Sequence, residues 1–468
     1  MTAPDTAPSR LPRDALVVLV TDRIYAKTAR FITKLRGLMA GEGRLLLAIV
    51  DGFGEGPAIG DVCDDAPEVI AGSIPDLADT ILRSRGPAAT PPCIVALNQS
   101  AVLPGLALRL ALGLGPRPGL AEACDKRLTR RRLAQGDLHL DFVAVRPGEA
   151  LGDDAAFEAD RYVVKPAFGT SGKHVRFFDT WTCVREFVRD SAGPRSEATV
   201  ADLSWAPAHV LAALGVDDPH SDAWIVEPYV AGPEFSVDGW IRGGDFSAIV
   251  QHKFSIVETA TFVGDGPTIT PPAGPADLPP RWQALRNGEA AIRDFGRRVL
   301  GQLGFTEGVF HIEGRERSTD GRLFLVEVNP RAPGGSLWRS AERRTGLDLE
   351  TVDAAIQLGL AIPPPDGPIA AYALHYPFYA RRPGVLKDWG DLTWTGEPPV
   401  ETLSVDFAAA LGQIFAPTDL DEEPYLAFAV VHDDTLAGLL EKCDRVLGLT
   451  PPRLDPFGGA EPADRGGR

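Results

Sequence analysis

The chain has 468 residues, and a prior of about 150 residues per domain predicts about three domains. Its 47 Lys and Arg against 64 Asp and Glu give a net charge of −17. This balance argues against nucleic acid or an anionic membrane as the partner, because both need a basic face. The five scattered cysteines indicate neither a disulfide framework nor structural zinc, and no signal peptide or apolar span is evident. We therefore expect a cytoplasmic protein.

The first part of the chain reads as an open parallel α/β layer. Short β-branched runs lie at 15–20, 45–50 and 93–97. Segments with helical apolar spacing, such as 74–85, separate them, and this alternation is typical of parallel sheets. A helical stretch over 120–135 precedes a change to strand-rich composition near Gly136.

The second part is predicted to be rich in strands. Apolar runs lie at 140–145, 161–167, 174–178, 308–316 and 322–330, and a long helix is predicted over 282–303. A polar, Pro-bearing excursion at 191–222 is interpreted as a helical or mobile insertion.

The segment K-P-A-F-G-T-S-G-K-H at 165–174 carries a strand that ends in Lys165 and enters a glycine-rich loop. Gly169 and Gly172 would let backbone amides converge on phosphate oxygens, and Lys173 would add charge. The loop lacks the Walker A spacing, and an ordinary turn is the alternative reading. In the next segment, 224–240, the carboxylates Glu227 and Glu234 flank a Gly-Pro turn, for which a plain sheet connection is the alternative.

Residues 308–335 carry the strongest pattern, two strand-like runs joined by a Ser-Thr-Asp-Gly turn. A three-residue loop, 319–321, with left-handed Gly321 would place Glu313 opposite Glu327. The same register would place His311 opposite Asn329.

Opposed carboxylates on one face repel unless a cation lies between them. Two carboxylates and an amide oxygen suit magnesium, so we predict that Glu313, Glu327 and Asn329 bind Mg²⁺. Arg331, one pleat further, would face a transferring phosphoryl group. A solvated charged face is the alternative, but the apolar residues of the second strand favour burial.

In order and separation, these stretches resemble the ATP-grasp superfamily, and specifically its carboxylate–amine ligases such as the bacterial L-amino acid (dipeptide) ligases. The resemblance runs from about residue 15 to beyond Gly335 and includes Asp125-Lys126 before a helix-like segment. It implies ATP and Mg²⁺ as cofactors, with Mn²⁺ as a possible substitute for Mg²⁺. It also implies small-molecule carboxylate and amine substrates, and it is compatible with a homodimer.

The resemblance also implies roles for individual residues. Phosphate, adenine, ribose or substrate contacts would come from Lys126, Lys165, Gly169, Ser171, Gly172, Lys173, Glu227, Tyr229, Val230, Glu234, Gly334 and Gly335. Arg331 would stabilise phosphoryl transfer, and Lys253 would lie near the substrate as a second catalytic residue.

The implied fold combines α/β and α+β parts, with ATP between two subdomains. The predicted divisions are a tail at 1–14, an N-terminal α/β domain at 15–136, a small ATP-grasp subdomain at 137–241, a large one with the metal site at 242–361, and a C-terminal mixed region at 362–468.

The predicted activity is amide or peptide bond formation through an acylphosphate, with release of ADP and phosphate. Two alternatives remain at this point. A ligase of this type could modify a peptide or protein, or the chain could be an inactive ATP-binding module.

Overall fold

The computed structural model describes residues 8–21, 26–50, 59–85, 90–136, 138, 140–153, 157–169, 172, 174–191, 193, 211–212, 222–254, 256–258, 263–272, 277–278, 284–367, 369–393, 398–416 and 424–456. Most of the predicted excursion at 191–222 therefore lies outside the described residues. Within them, no helix is long and apolar enough to cross a membrane.

The described chain combines helices with parallel and antiparallel strands. Helices α1–α11 are Ala26–Met39, Ile59–Val62, Ile74–Arg85, Gln99–Ala111, Leu120–Cys124, Lys126–Leu133, Trp181–Asp190, Glu289–Leu303, Leu337–Thr345, Leu349–Gln357 and Leu436–Leu447. Strands β1–β10 are Leu16–Thr21, Arg44–Val50, Glu68–Gly72, Cys93–Ala96, Val143–Val145, Tyr162–Pro166, Arg176–Phe178, Trp224–Pro228, Glu234–Arg242 and Asp245–Lys253. Strands β11–β21 are Ile256–Glu258, Val263–Asp265, Thr268–Thr270, Gly308–Glu316, Leu323–Asn329, Tyr372–Tyr379, Gly384–Asp388, Ser404–Phe407, Ile414–Phe415, Tyr425–Asp433 and Arg453–Asp455.

The N-terminal layer is a parallel sheet in the order β3-β2-β1-β4, as the sequence predicts. Strand β3 was not predicted, because only Ile70 of its five side chains is buried and the strand lacks a continuous apolar run. The predicted helix over 120–135 is divided at Asp125, whose side chain accepts a hydrogen bond from the Arg127 amide and begins α6.

Two further sheets carry the rest of the site. A four-stranded antiparallel sheet has the order β5-β8-β6-β7, and an eight-stranded sheet has the order β15-β14-β9-β10-β13-β16-β20-β18. Strand β9 belongs to the eight-stranded sheet, so the predicted division at 241/242 falls at the end of a strand. Strands β16, β18 and β20 of the predicted C-terminal mixed region join the same sheet.

The predicted helix over 282–303 begins later, at Glu289. The amides of Arg286 and Asn287 donate to the buried carboxylate of Glu316, at 2.9 and 2.8 Å, which holds the preceding segment outside the helix. This helix, α8, buries one face in a core that continues from the N-terminal layer to the eight-stranded sheet. The continuous core fixes the sheets around the candidate site.

Candidate functional site

The hairpin formed by β14 and β15 has the predicted pairing at its chemical end. His311 lies opposite Asn329, and Glu313 lies opposite Glu327, which confirms the predicted register. The predicted loop length, however, is wrong: Arg317 and Arg322 close a four-residue loop, with an N–H···O distance of 2.9 Å. A bulge after Glu313 shifts the register by one residue and compensates for the longer loop.

Gly321 ends this loop in the left-handed conformation, with φ of 73°. We expect Gly321→Ala to lower the free energy of unfolding by about 1 kcal/mol, because a Cβ disfavours positive φ although the surrounding space is open. Urea unfolding measures this difference. Gly115→Ala is the matched control, since that glycine also lies in open space but without positive φ. Equal effects at both positions would contradict the strain argument.

The bulge turns carbonyl groups of β15, an edge strand, toward cationic side chains. The Arg130 guanidinium donates to the carbonyls of Leu325 and Val326 at 3.0 and 2.9 Å. Lys165 Nζ donates to the same Val326 carbonyl at 3.0 Å. Because Lys165 lies on β6, this contact joins the four-stranded sheet to the edge of the eight-stranded one.

Each of the two opposed carboxylates has its own lysine. Glu313 accepts a hydrogen bond from Lys253, and the same carboxylate lies 3.5 Å from His311 Nε2. The Glu327 carboxylate lies 3.2 Å from Lys126 Nζ and accepts a hydrogen bond from the side-chain nitrogen Nδ2 of Asn329 at 2.8 Å. Lysine ammonium groups therefore supply cations for both carboxylates in the structure, and the binding of Mg²⁺ stays a prediction.

The donor set nevertheless fits magnesium chemically. Glu313 and Glu327 bring carboxylate oxygens to facing positions, and Asn329 follows two residues later on the same strand. No group of three or more His, Cys, Asp or Glu side chains suited to a metal occurs in the described part of the chain. With two carboxylates and an amide, this site would rely on nucleotide phosphates and water to complete the magnesium shell, and the metal assignment remains a prediction.

Lys165, Glu227 and Arg130 form a buried charge cluster. Lys165 Nζ lies 2.6 Å from the Glu227 carboxylate, which also accepts from the Arg130 guanidinium. Burial lowers the pKa of Lys165 to about 8 in spite of Glu227, so the lysine is still mostly charged at neutral pH. Burial alone would raise the pKa of Glu227, but Arg130 and Lys165 outweigh it and keep that pKa below its usual range. Glu227 thus holds Lys165 in place.

A second buried cluster surrounds Lys253. Its ammonium group bridges Glu234, at 2.8 Å, and Glu313. Arg315 Nε donates to the other Glu234 oxygen at 3.1 Å, and its guanidinium donates to the Val230 carbonyl at 3.3 Å. The predicted ribose ligand Glu234 therefore already holds two cations, and Lys253 directly connects it with the predicted metal ligand Glu313.

His311 extends this cluster into the sheet. Its Nδ1 lies 2.5 Å from the buried Asp238 carboxylate, which also accepts from Ser236 and Gln251. Burial alone would lower the pKa of His311, but Asp238 and Glu313 raise it to about 9. Glu313 has a pKa well below its usual range because Lys253 and His311 overcome the effect of burial. A charged His311 therefore helps to keep Glu313 ionised.

The glycine-rich loop is only partly described. Gly169 and Gly172 have φ of 148° and 67°, as expected where a loop needs glycine, whereas the predicted phosphate contacts Ser171 and Lys173 lie outside the described residues. Lys126 Nζ donates to the Gly169 carbonyl at 3.0 Å and lies beside Glu327. Lys126 thus links the loop to the predicted metal ligands.

The remaining predicted residues lie at the margins of these clusters. The Tyr229 ring is contacted by the Arg161 and Arg315 guanidinium groups, 5.1 and 4.9 Å from its centroid. Arg331 donates to the Ala332 carbonyl at 2.9 Å and lies 3.5 Å from Asn329 Oδ1. Gly334 is exposed to solvent and lies near the Arg331 guanidinium.

Gly335 has φ of 55°, and a Cβ there would lie 3.1 Å from Phe428. The roles assigned to the two glycines, Gly334 and Gly335, remain predictions.

Sequence reasoning did not identify Arg130, Arg315 or Asp238 as members of the site. Two spacing signals were available: Arg130 follows Lys126 by one helical turn on α6, and Arg315 alternates with Glu313 on β14. Asp238 shares a face of β9 with Glu234, but its partner His311 is far away in sequence, on the neighbouring strand β14.

Comparison with known proteins finds relatives of the part of the chain that carries this site. Residues 161–340 match the family model of the ATP-grasp domain. The large chain of carbamoyl phosphate synthase from Mycobacterium tuberculosis is 25% identical over 232 residues, which are 47% of this chain and 19% of that protein. The chain therefore spans about a fifth of the length of that relative.

Solved structures match over nearly the whole chain. The L-amino acid ligase from Bacillus licheniformis has a TM-score of 0.66 at 16% identity, over 95% of this chain and 100% of that one. The biotin carboxylase domain of 2-oxoglutarate carboxylase from Hydrogenobacter thermophilus, in complex with magnesium ADP, has a TM-score of 0.56 at 12% identity, over 93% and 91%. The chain therefore carries an ATP-grasp domain at residues 161–340 and shares its fold with these two solved structures along nearly its whole length.

Proposed function

We propose that the chain is an ATP-dependent carboxylate–amine ligase that acts on amino acids or related small molecules. The observation that carries this proposal is the meeting of Lys126 and Lys165 with the bulged end of β15, beside Glu327. A nucleoside triphosphate requires cationic side chains beside its phosphate oxygens and oxygen ligands for its magnesium ion. The ATP-grasp domain supports the same assignment.

The proposed reaction has two steps. A substrate carboxylate oxygen attacks the γ-phosphorus of ATP, and the bond to the ADP oxygen breaks. The amine nitrogen then attacks the acylphosphate carbon, a C–N bond forms, phosphate leaves, and the nitrogen loses a proton. No protein nucleophile is needed for either step.

The chain's own residues would bind and orient the phosphates. Lys126 and Lys165 would contact them, each held by a carboxylate partner, and Arg331 would stabilise the charge that develops on the transferred group. Glu313, Glu327 and Asn329 would hold Mg²⁺, or Mn²⁺ in its place. When bound, the metal would neutralise phosphate charge. Free cysteines at all five positions, each described in the structure, are compatible with a reducing cytoplasm.

Release of ADP tests the proposal. We expect purified protein to release ADP only with Mg²⁺ and both substrates, and mass spectrometry of reactions with mixed amino acids should find an amide. Glu327→Gln should lower kcat/KM by about 10²-fold or more and raise the Mg²⁺ requirement, because one ligand charge is lost. Glu289→Gln, the same change at the half-exposed first residue of α8, should have no effect.

Other outcomes would identify a different function. ATP binding without any Mg²⁺-dependent turnover would favour an inactive nucleotide-binding module. Turnover with peptides but not with free amino acids would favour a ligase that modifies peptides or proteins. Full activity of Glu327→Gln would remove Glu327 from the metal site.

A further inference from the structure

A cationic cluster lies where α1 of the N-terminal layer meets α10. Lys27, Arg30 and Lys34 lie on one face of α1, and all three face the carboxylate of Glu350, which is the second residue of α10 and is 3% exposed. Lys34 also pairs with Asp348, at 2.7 Å. The three cations therefore outnumber the two carboxylates that lie within 4 Å of them.

Lys27 is the least satisfied cation of this cluster. Arg30 donates two hydrogen bonds to Glu350, at 3.2 and 3.0 Å, and Lys34 donates one at 2.6 Å. The Lys27 ammonium group lies 3.8 Å from Glu350, and in the described part of the chain it makes no hydrogen bond. Its side chain is nevertheless only 23% exposed. A largely buried cation without a hydrogen-bonded anion is costly.

Arg331 is a neighbouring cation that belongs to the candidate phosphate site. Glu350 and Asp353 lie one turn apart on α10, and Asp353 lines a small cavity together with Arg331. Arg331 donates to the Ala332 carbonyl, and none of the described carboxylates lies within 4 Å of it. Lys27 and Arg331 therefore repel each other across the first turns of α10 without a closely bound anion of their own.

The charge of Lys27 is disfavoured by its surroundings. Burial lowers the pKa of Lys27 below its usual value, although Glu350 opposes this effect. Arg331 and Arg30 lower the pKa further, and Asp353 partly offsets them. A bound anion would favour the charged lysine, and charged groups held in unfavourable surroundings are typical of sites that bind a ligand.

The position of Arg331 indicates which anion this is. The Arg331 guanidinium lies 3.5 Å from Oδ1 of Asn329, a predicted Mg²⁺ ligand. In nucleotide sites Mg²⁺ binds the phosphate oxygens, so an anion between Arg331 and Lys27 would lie next to the metal-bound phosphates. The phosphoryl group in transfer is the anion that fits this place.

We propose that Lys27 is a further catalytic residue, which contacts the phosphoryl group during its transfer together with Arg331. This inference rests on the proposed ligase function, because that function supplies the anion. The bond from the γ-phosphorus to the ADP oxygen breaks, and a bond to the substrate carboxylate oxygen forms. Lys27 stabilises the charge on the transferred oxygens and exchanges no proton.

Calorimetry with two nucleotides tests this contact. The probes are the magnesium complexes of ADP and of the β,γ-imido analogue of ATP, whose terminal phosphoryl group is not transferred. Lys27→Met should weaken binding of the imido analogue about tenfold, the loss of one charge-assisted hydrogen bond, and leave ADP binding unchanged. It should also lower kcat/KM for ADP release by about 10²-fold or more. Lys27→Arg, which keeps the charge, should recover part of both losses.

Protein stability separates a catalytic role of Lys27 from a structural one. Lys27→Met should leave the melting temperature unchanged or raise it, because Arg30 and Lys34 still hold Glu350. Lys34→Met is the matched control, since it makes the same change two turns later on α1. It removes the contacts of 2.6 and 2.7 Å with Glu350 and Asp348, so it should lower the melting temperature. The ratio of the two nucleotide affinities should stay the same in Lys34→Met.

The remaining outcomes distinguish this inference from the ligase proposal. An unchanged affinity of Lys27→Met for the imido analogue, or an equal loss for both nucleotides, would overturn the inference. A higher KM for the carboxylate substrate as the only defect would also overturn it. Magnesium-dependent amide formation that persists in that variant would preserve the ligase proposal. If the native protein binds neither nucleotide, both proposals fail.

Discussion

Replacement of Arg331 by alanine is expected to lower kcat/KM for ADP release by about 10³-fold or more, since an arginine that stabilises a transferring phosphoryl group contributes 10³–10⁵ in rate. Arg331 lies in the turn that follows β15, and its guanidinium lies 3.5 Å from Oδ1 of the predicted metal ligand Asn329. The loss should appear mainly in kcat, because the charge to be stabilised develops during transfer.

Two controls make this result specific to the guanidinium group. Arg331→Lys keeps a positive charge but loses the planar fork, so it should recover only part of the activity. Arg293→Ala removes an arginine from the exposed face of α8, where its ion pair with Glu289 is long, at 3.9 Å, and it should leave kcat unchanged. A rise in KM for ATP with unchanged kcat in Arg331→Ala would instead make Arg331 a binding residue.

The hairpin shows how far sequence reasoning reaches in this chain. Alternation and the position of Gly321 predict that Glu313 faces Glu327, and the structure confirms it. The predicted pairing of Glu313 with Glu327 is correct although the loop is one residue longer than predicted. A bulge after Glu313 shifts the register by one residue and so restores that pairing. The local sequence pattern predicts strands and turns. It does not predict the bulge, because the carbonyl groups at the bulge are bound by Arg130 and Lys165 from distant parts of the chain.

The partners of the charged residues could not be predicted for the same reason. Lys126 meets Glu327, and Lys253 meets Glu313, across large separations in sequence. A pattern within one hairpin indicates that two carboxylates need cations, but it does not distinguish lysine from metal. The order of the eight-stranded sheet supplies the lysine, because it places β10 two strands away from β14 and brings Lys253 to the hairpin.

Replacement of Lys253 by methionine is expected to lower the free energy of unfolding by about 3–5 kcal/mol, the cost of leaving buried charges without their partner. Lys253 is only 2% exposed and bridges Glu234 and Glu313. Arg315 would still hold Glu234, but Glu313 would keep only His311. Urea unfolding at pH 7.5 without metal measures the loss. Lys387→Met, the same change at an exposed strand position, should cost little.

The pH dependence of the Lys253→Met variant distinguishes a charge effect from lost packing. In the native protein the pKa of Glu313 is well below its usual value, so its stabilising contribution is present at neutral pH and is lost only in strong acid. Without Lys253 that pKa should rise, and protonation should relieve the buried charge as pH falls. The difference from the native protein should therefore narrow between pH 7.5 and pH 5, and Lys253→Met/Glu313→Gln should recover part of it. A difference that stays constant with pH would assign the loss to packing around the lysine stem, and Lys253 would no longer be the group that keeps Glu313 ionised for the metal.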